Sequence, residues 1–306
     1  MSVALALLSS VGFGFQTLFV RHGLSRDDDS TPLAAATVTL VTSCTLLAAI
    51  LFVRRGVPTV PALASLLPFL VAGVLDPGVS RLLYFEGIDR VGPSVAAALT
   101  ASSPAVATFV AVPVLGERVT AAKAVGVGLV VLGVATIQFR RPSAEESSAV
   151  EELDTVRQEL LDTFPRDLSV PVGAAVVIAL SFVVVKVGLA GPVGTLVGTT
   201  VAQLAAVATI LPLALGSGRV RRYAGTTSTE ALASFVAAGV FVGTAWYAMF
   251  LALDLGSVVT VLPVVSTYPL VVVAASYALA GEWPRSPALL AAVFAIVVGA
   301  AAVQVG

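Results

Sequence analysis

The chain of 306 residues is 58% hydrophobic and only 11% charged, with a mean hydropathy of +1.00 and a net charge of -1. A water-soluble domain carries about 25% charged residues and no more than about half apolar residues, so this composition excludes a soluble protein. One cysteine and one histidine exclude a disulfide framework and a Cys/His zinc site supplied by this chain alone.

The sequence contains no HExxH, Walker A or GxGxxG motif. We therefore expect no cofactor, no metal and no nucleic-acid partner, and we do not expect an enzyme. Apolar runs of about 20 residues, bounded by charge, Gly or Pro, instead predict ten membrane-spanning helices. These runs cover roughly 2–20, 33–53, 64–87, 93–114, 120–139, 171–190, 193–215, 231–252, 257–279 and 287–305.

One long polar interval, 140–170, separates the fifth run from the sixth and holds eight of the 18 carboxylates. Apolar residues recur within it at helical spacing, which predicts a short amphipathic helix on the membrane surface. The sequence thus predicts three parts: helices one to five in 1–139, an acidic connector in 140–170, and helices six to ten in 171–306.

The two five-helix parts carry a repeat that appears when the chain is aligned with itself at an offset of 165 residues. Gly78 then matches Gly243, Asp89 matches Asp254, Pro104 matches Pro269, and Gly116-Glu117 matches Gly281-Glu282. Because five is odd, the second copy enters the membrane from the opposite side. The sequence therefore predicts an all-α integral membrane protein of two inverted five-helix repeats, an architecture typical of secondary transporters.

Several segments resemble the EamA-like family of the drug/metabolite transporter superfamily. They are 83–89, Ser102-Ser103-Pro104, 115–119 and 126–133, with Tyr247–Gly256, Ser266–Pro269 and 280–282 in the second half. The resemblance covers the whole chain except the connector. It implies ten helices, a central cavity between the halves, and export or uptake of small metabolites.

Two charged residues, Asp76 and Arg81, interrupt the third apolar run near its middle. Each costs on the order of 2.5 to 3.5 kcal/mol at the centre of a spanning helix, so both are expected to face the protein interior or an aqueous cavity. One interpretation is that the two side chains pair with each other or with polar groups on other helices, which lowers the cost of burying them in the membrane and has no role in transport. The other is that they line a substrate pathway, with Arg81 attracting a carboxylate or phosphate and Asp76 an amine, a proton or a cation.

The repeat favours the pathway interpretation, because the positions equivalent to Asp76 and Arg81 are Phe241 and Trp246. A charged wall facing Trp246 and Tyr247 suits an amphipathic metabolite such as an amino acid.

Other polar residues extend this candidate site. Tyr84 shares a helix face with Asp76, and Gln16 and Gln203 are further candidates that alternatively bond between helices. Pro77, Pro104 and Pro269 are expected to break or kink their helices. Arg21 and Lys186 occupy equivalent helix ends as interface anchors, whereas Glu117 and Glu282 are expected at a turn or cap.

The sequence therefore predicts a multi-pass plasma-membrane carrier whose partners are a small-molecule substrate, the lipid bilayer and a coupling proton or ion. We expect an exporter that works by alternating access; the alternative is a scaffold or sensor that keeps the duplicated fold without transport. The positive-inside rule places both termini outside, whereas the family resemblance implies cytoplasmic termini, and we follow the family. The oligomeric state is left open.

Overall fold

The computed structural model describes residues 1–27, 30–55, 61–139, 165–217, 228–280 and 287–305. A short π-helix, Val74–Val79, joins α3 to α4. The thirteen α-helices of these residues are α1 Ser2–Ser25, α2 Pro32–Arg55, α3 Leu63–Gly73, α4 Ser80–Val91, α5 Pro93–Thr100, α6 Ser103–Leu115, α7 Ala121–Phe139, α8 Pro165–Leu189, α9 Thr195–Gly216, α10 Thr229–Leu255, α11 Val258–Val265, α12 Tyr268–Ala280 and α13 Pro287–Val305.

Ten segments of the described chain are long and apolar enough to cross a membrane. This confirms the predicted all-α fold with ten spans. Three spans are interrupted helices, namely α3 with α4, α5 with α6, and α11 with α12. Helix α8 already begins at Pro165, inside the predicted connector, and the amphipathic helix predicted there lies outside the described residues.

The helices pair in a way that is preserved when the two repeats are exchanged. The first span packs on the eighth, α1 on α10, and the third packs on the sixth, α4 on α8. Likewise the packing of α10 on α2 corresponds to that of α3 on α9. The remaining two pairs, α2 with α9 and α7 with α13, each consist of equivalent helices of the two repeats. Each contact thus has a counterpart in which first-repeat and second-repeat helices change places, as expected for inverted repeats.

Six spans can be grouped into two bundles, each mixing both repeats, which contact each other where α2 packs on α9. The first bundle contains α1, α2 and α10; the second contains α3 with α4, α8 and α9. We call the membrane side on which α1 begins and α13 ends the terminal side, and the other the opposite side.

Glycines allow the helices within each bundle to approach closely. In the second bundle, a Cβ built on Gly73 would lie 1.9 Å from the backbone oxygen of Ala202. In the first, a Cβ on Gly12 would lie 2.8 Å from that of Ala245, and one on Gly239 would lie 2.5 Å from that of Thr42. Since lipid gives helices no hydrophobic drive to associate, contact through small residues stabilises such pairs.

The terminal-side half of the protein is closed by one continuous apolar core. Its buried residues come from the terminal-side half of each contributing helix, such as Leu47 and Leu51 in α2 and Leu253 in α10. Phe69 of the second bundle packs against Phe250 of the first, with ring centroids 6.3 Å apart. Outside this core, other described buried apolar residues form three smaller, separate clusters, two of them in the opposite-side half and one near the middle of α7 and α13.

Polar contacts reinforce the closed end. The Lys186 ammonium donates hydrogen bonds to the carbonyl oxygens of Leu253 (2.6 Å) and Gly256 (2.9 Å). The Thr195 hydroxyl donates to Asp254 Oδ2 at 3.0 Å. These bonds join α8 and α9 of the second bundle to the carboxyl end of α10 in the first. Lys186 thus does more than anchor an interface, since it binds the carbonyls at a helix terminus.

Glu117 caps a helix of the other repeat. Its two carboxylate oxygens accept hydrogen bonds from the backbone N–H groups of Val258 (2.7 Å) and Val259 (2.9 Å), at the start of α11. A carboxylate at this place satisfies free donors and complements the helix dipole. Glu117 therefore has the capping role expected from its position, whereas Glu282 lies outside the described residues.

We predict that Gly73→Ala destabilises the protein by about 3 kcal/mol or more, because the added Cβ meets backbone atoms that cannot rotate away. The matched control is Gly128→Ala, where a Cβ meets nothing within 4 Å and helix propensity improves slightly. The measurement is the thermal unfolding midpoint of each purified variant in detergent. Equal midpoints for the two variants would contradict the close approach of α3 to α9.

Candidate functional site

The third span breaks in the middle of the membrane at Asp76 and Pro77. Their backbone angles are non-helical, with φ −141° and ψ 125° at Asp76 and φ −88° and ψ 16° at Pro77. Proline lacks an N–H donor and clashes with the preceding turn, which accounts for the break. The broken segment packs against α8 and α9, and its Pro77 and Gly78 are buried.

The carbonyl groups that a break leaves free need donors from elsewhere, since lipid offers none. The N–H of Ser80 bonds to the carbonyl of Leu75, five residues earlier, which is the π-helical spacing. At that spacing the carbonyl of Ala72 would need a donor from Pro77, which has none. The buried Ser181 hydroxyl of α8 donates to this carbonyl at 3.0 Å instead.

Asp76 lies at the break, Arg81 and Tyr84 follow it in α4 on the opposite-side half of the third span, and all three are partly buried. The Ser80 hydroxyl donates to Asp76 Oδ1 at 2.5 Å. Arg81 lies within electrostatic range of both Asp76 and Tyr84. None of the ion pairs between described residues joins Asp76 to Arg81. Two opposite charges therefore lie close together without a direct ion pair.

Tyr268 and Gln138 join this group, and the sequence analysis did not select either as a site residue. The Gln138 side chain lies within reach of the Tyr268 hydroxyl, and Tyr268 lies within electrostatic range of Tyr84. Tyr268 begins α12 directly after the interruption of the ninth span. The one signal for it was its place beside Pro269 in the repeated motif; nothing in the sequence indicated Gln138.

An aromatic cluster connects Tyr268 to Trp246. The ring of Phe13 lies 5.8 Å from that of Trp246 and 6.4 Å from that of Tyr268, both edge-on. Trp246 also contacts Phe182 of the second bundle at 6.3 Å. Trp246 is only 6% exposed and belongs to the closed apolar core. Trp246 therefore lies in the closed core and is linked to Tyr268 through Phe13.

The remaining predicted residues lie at varied depths. Tyr247 is partly buried and packs against the closed core. Gln16 in α1 is partly buried, whereas Gln203 in α9 is 1% exposed and its Oε1 has no hydrogen-bond partner. Pro104 and Pro269 each lie in the first turn of a helix that follows an interruption, at 101–102 and 266–267.

A cavity of about 690 Å³ opens at the terminal side, between α6, α8 and the α10–α11 turn. Its polar lining includes Glu117, Lys186 and Asp254, which already bind neighbouring groups. It contains none of the residues near the break. We therefore place the candidate site at Asp76 and Arg81. The described residues contain no group of three side chains suited to a metal ion.

Comparison with known proteins agrees with this architecture. No curated protein sequence matches the chain. A solved structure described as "Crystal structure of protein" aligns with 97% of this chain and 96% of its own, with a TM-score of 0.68 and 19% sequence identity, and shows the same fold. The EamA-like transporter family matches residues 1–139 and 168–303. These matched ranges cover both repeats and confirm the resemblance seen in the sequence: the chain belongs to the EamA-like transporter family.

Proposed function

We propose that this membrane transporter is a secondary carrier that moves a small amphipathic metabolite, an amino acid or a related compound, by alternating access. The observation that carries the proposal is the placement of Asp76 and Arg81. They lie beside a helix break on the opposite-side half, directly beyond an apolar core that closes the terminal side. A carrier needs such a site, reachable from one side and sealed from the other.

The chemistry of the site supports a zwitterionic substrate. Arg81 can bind a carboxylate through paired N–H donors, and Asp76 can bind an ammonium group, a proton or a cation. Because the two charges form no direct ion pair, each can receive a substrate group without first losing a strong partner. Phe13, Tyr84 and Tyr268 supply aromatic surface for the apolar part of the substrate.

The absence of a nucleotide-binding motif in the sequence favours an ion gradient or substrate exchange as the driving force. We assign the protein to the plasma membrane with cytoplasmic termini and export as its direction. In this arrangement the conformation described here is sealed toward the cytoplasm. We propose that residues 1–139 form the first repeat and residues 171–306 the second, joined by the acidic connector 140–170.

The first experiment is counterflow of labelled amino acids in proteoliposomes, comparing wild type with Asp76→Asn and Arg81→Gln. Each variant is expected to lose at least roughly tenfold in transport rate, because each removes a charge-assisted contact with the substrate. Glu86→Gln is the matched control, since Glu86 is exposed on the same span and pairs with Arg90 at the surface. Absence of counterflow in the wild type across amino acids, nucleosides and sugar derivatives would favour the scaffold alternative.

A second prediction concerns the aromatic wall. Tyr268→Phe removes the hydroxyl near Gln138, which we propose bonds to the substrate, so the apparent KM for the transported substrate should rise roughly two- to tenfold, as for the loss of one neutral hydrogen bond. Tyr277→Phe, on the same helix, should leave KM unchanged. The measurement is the concentration dependence of counterflow; an equal KM for Tyr268→Phe and wild type would remove Tyr268 from the site.

The orientation can be tested with single cysteines in a Cys44→Ala background, because Cys44 is the sole cysteine of the sequence. Ser25 and Thr120 are both exposed, on the opposite and terminal sides respectively. With cytoplasmic termini, a membrane-impermeant maleimide should label Ser25→Cys in intact cells and Thr120→Cys only after permeabilisation. The reverse labelling pattern would mean that the positive-inside rule, and not the family, sets the orientation.

A further inference from the structure

The hydrogen bonds that hold the two bundles together at the terminal side have equivalent positions on the opposite side. At the offset of 165 residues, Lys186 corresponds to Arg21, and its acceptors at Leu253 and Gly256 correspond to Ile88 and Val91. Thr195 corresponds to Ser30, and Asp254 corresponds to Asp89. A cation, a hydroxyl and a carboxylate thus recur at the same three positions of both repeats.

The structure forms this set of bonds at the terminal side and leaves it unformed on the opposite side. Arg21 is exposed and takes part in none of the hydrogen bonds or ion pairs between described residues. The buried Oγ of Ser30 has no hydrogen-bond partner, and Asp89 is exposed. The buried hydroxyl without a partner is the feature that needs an explanation, since such groups are normally bonded.

Three polar contacts between described residues of the opposite side each lie within one bundle. In the first bundle, Arg26 pairs with Glu230 at 3.4 Å, and the backbone N–H of Ser228 donates to Asp27 Oδ2 at 3.1 Å. In the second, Arg90 pairs with Asp167 at 3.8 Å. These contacts hold each bundle together, whereas the two bundles meet on this side through apolar packing of α2 against α9 at Leu40, Ala206 and Ile210.

We propose that Arg21, Ser30 and Asp89 form a second gate, which closes the opposite side when the gate of Lys186, Thr195 and Asp254 opens. This inference rests on the alternating access proposed above. In the other conformation, Arg21 of the first bundle donates to the carbonyls of Ile88 and Val91 at the carboxyl end of α4. The Ser30 hydroxyl donates to Asp89 in the second bundle.

The chemistry of the two gates is matched. Both use a cation at a helix carboxyl end, where free carbonyls and the helix dipole favour positive charge. Both add a hydroxyl-to-carboxylate hydrogen bond. When the bonds of one gate break and those of the other form, the number and kind of hydrogen bonds stay the same, so neither conformation is strongly favoured. A carrier needs this balance, because a large bias would trap it in one state.

Disulfide trapping of the full-length Cys44→Ala protein in liposomes tests the exchange. One variant carries Ser30→Cys with Asp89→Cys, and a second carries Thr195→Cys with Asp254→Cys. Under a mild oxidant, the terminal-side pair should cross-link readily and the opposite-side pair weakly. Adding Lys186→Gln should raise the yield of the opposite-side disulfide and lower that of the terminal-side one, each by roughly tenfold, as for the loss of a charge-assisted hydrogen bond.

Two further variants make the result specific. Arg21→Gln should lower the opposite-side yield, because it removes the cation of that gate. Glu230→Gln breaks a contact within the first bundle and should change neither yield. The proposal is overturned if the Ser30–Asp89 pair fails to cross-link in every background. It is equally overturned if its yield does not change with Lys186→Gln and Arg21→Gln in variants that elute as a single symmetric peak.

The cross-linking measurement needs no transported substrate, so its failure is distinct from failure of the proposed function. Counterflow with no rise in the opposite-side cross-link when the terminal-side cross-link falls would reject the second gate and leave the carrier function intact. If the two cross-linking yields shift in opposite directions but no tested metabolite shows counterflow, the gate is supported and metabolite transport is rejected.

Discussion

A broken helix that carries charge in the middle of a bilayer needs partners from the protein itself, and the rest of this fold supplies them at Asp76 and Pro77. The break packs against α8 and α9. Ser181 donates to the nearby Ala72 carbonyl and Ser80 donates to Asp76. Were these donors absent, each unsatisfied group would cost several kcal/mol in lipid. The position of the third span, and hence of the candidate site, depends on these hydrogen bonds from Ser181 and Ser80.

The two repeats keep the same scaffold but differ at the site. Proline follows an interruption in the fourth and ninth spans alike, and the helix pairings have counterparts under exchange of the repeats. In contrast, Asp76 and Arg81 in the first repeat correspond to Phe241 and Trp246 in the second. The two repeats therefore carry charged residues in one copy and aromatic residues in the other at equivalent positions.

The sequence predicted most of the fold, because spanning helices follow from apolar length and the repeat follows from a single register. It also predicted a break at Pro77, since proline removes a donor wherever it lies in a helix. The contact of Tyr268 with Gln138 could not be predicted, because it joins two spans whose neighbourhood depends on tertiary packing. The same is true of Lys186, whose acceptors lie on another helix. The sequence placed Lys186 at a helix end and gave no information on which carbonyls it meets.

The glycine contacts described above have a consequence for how this protein tolerates change. Among the closest of them, those at Gly12 and Gly239 lie inside the first bundle and that at Gly73 inside the second, whereas Lys186 and Thr195 connect the two bundles through hydrogen bonds. A side chain added at one of these glycines prevents the two helix backbones from making contact at all. A hydrogen bond between the bundles, in contrast, can be broken and replaced by another of similar strength. Variation at the glycines should therefore remove folded protein from the membrane, while variation at the polar contacts should yield intact molecules with altered turnover.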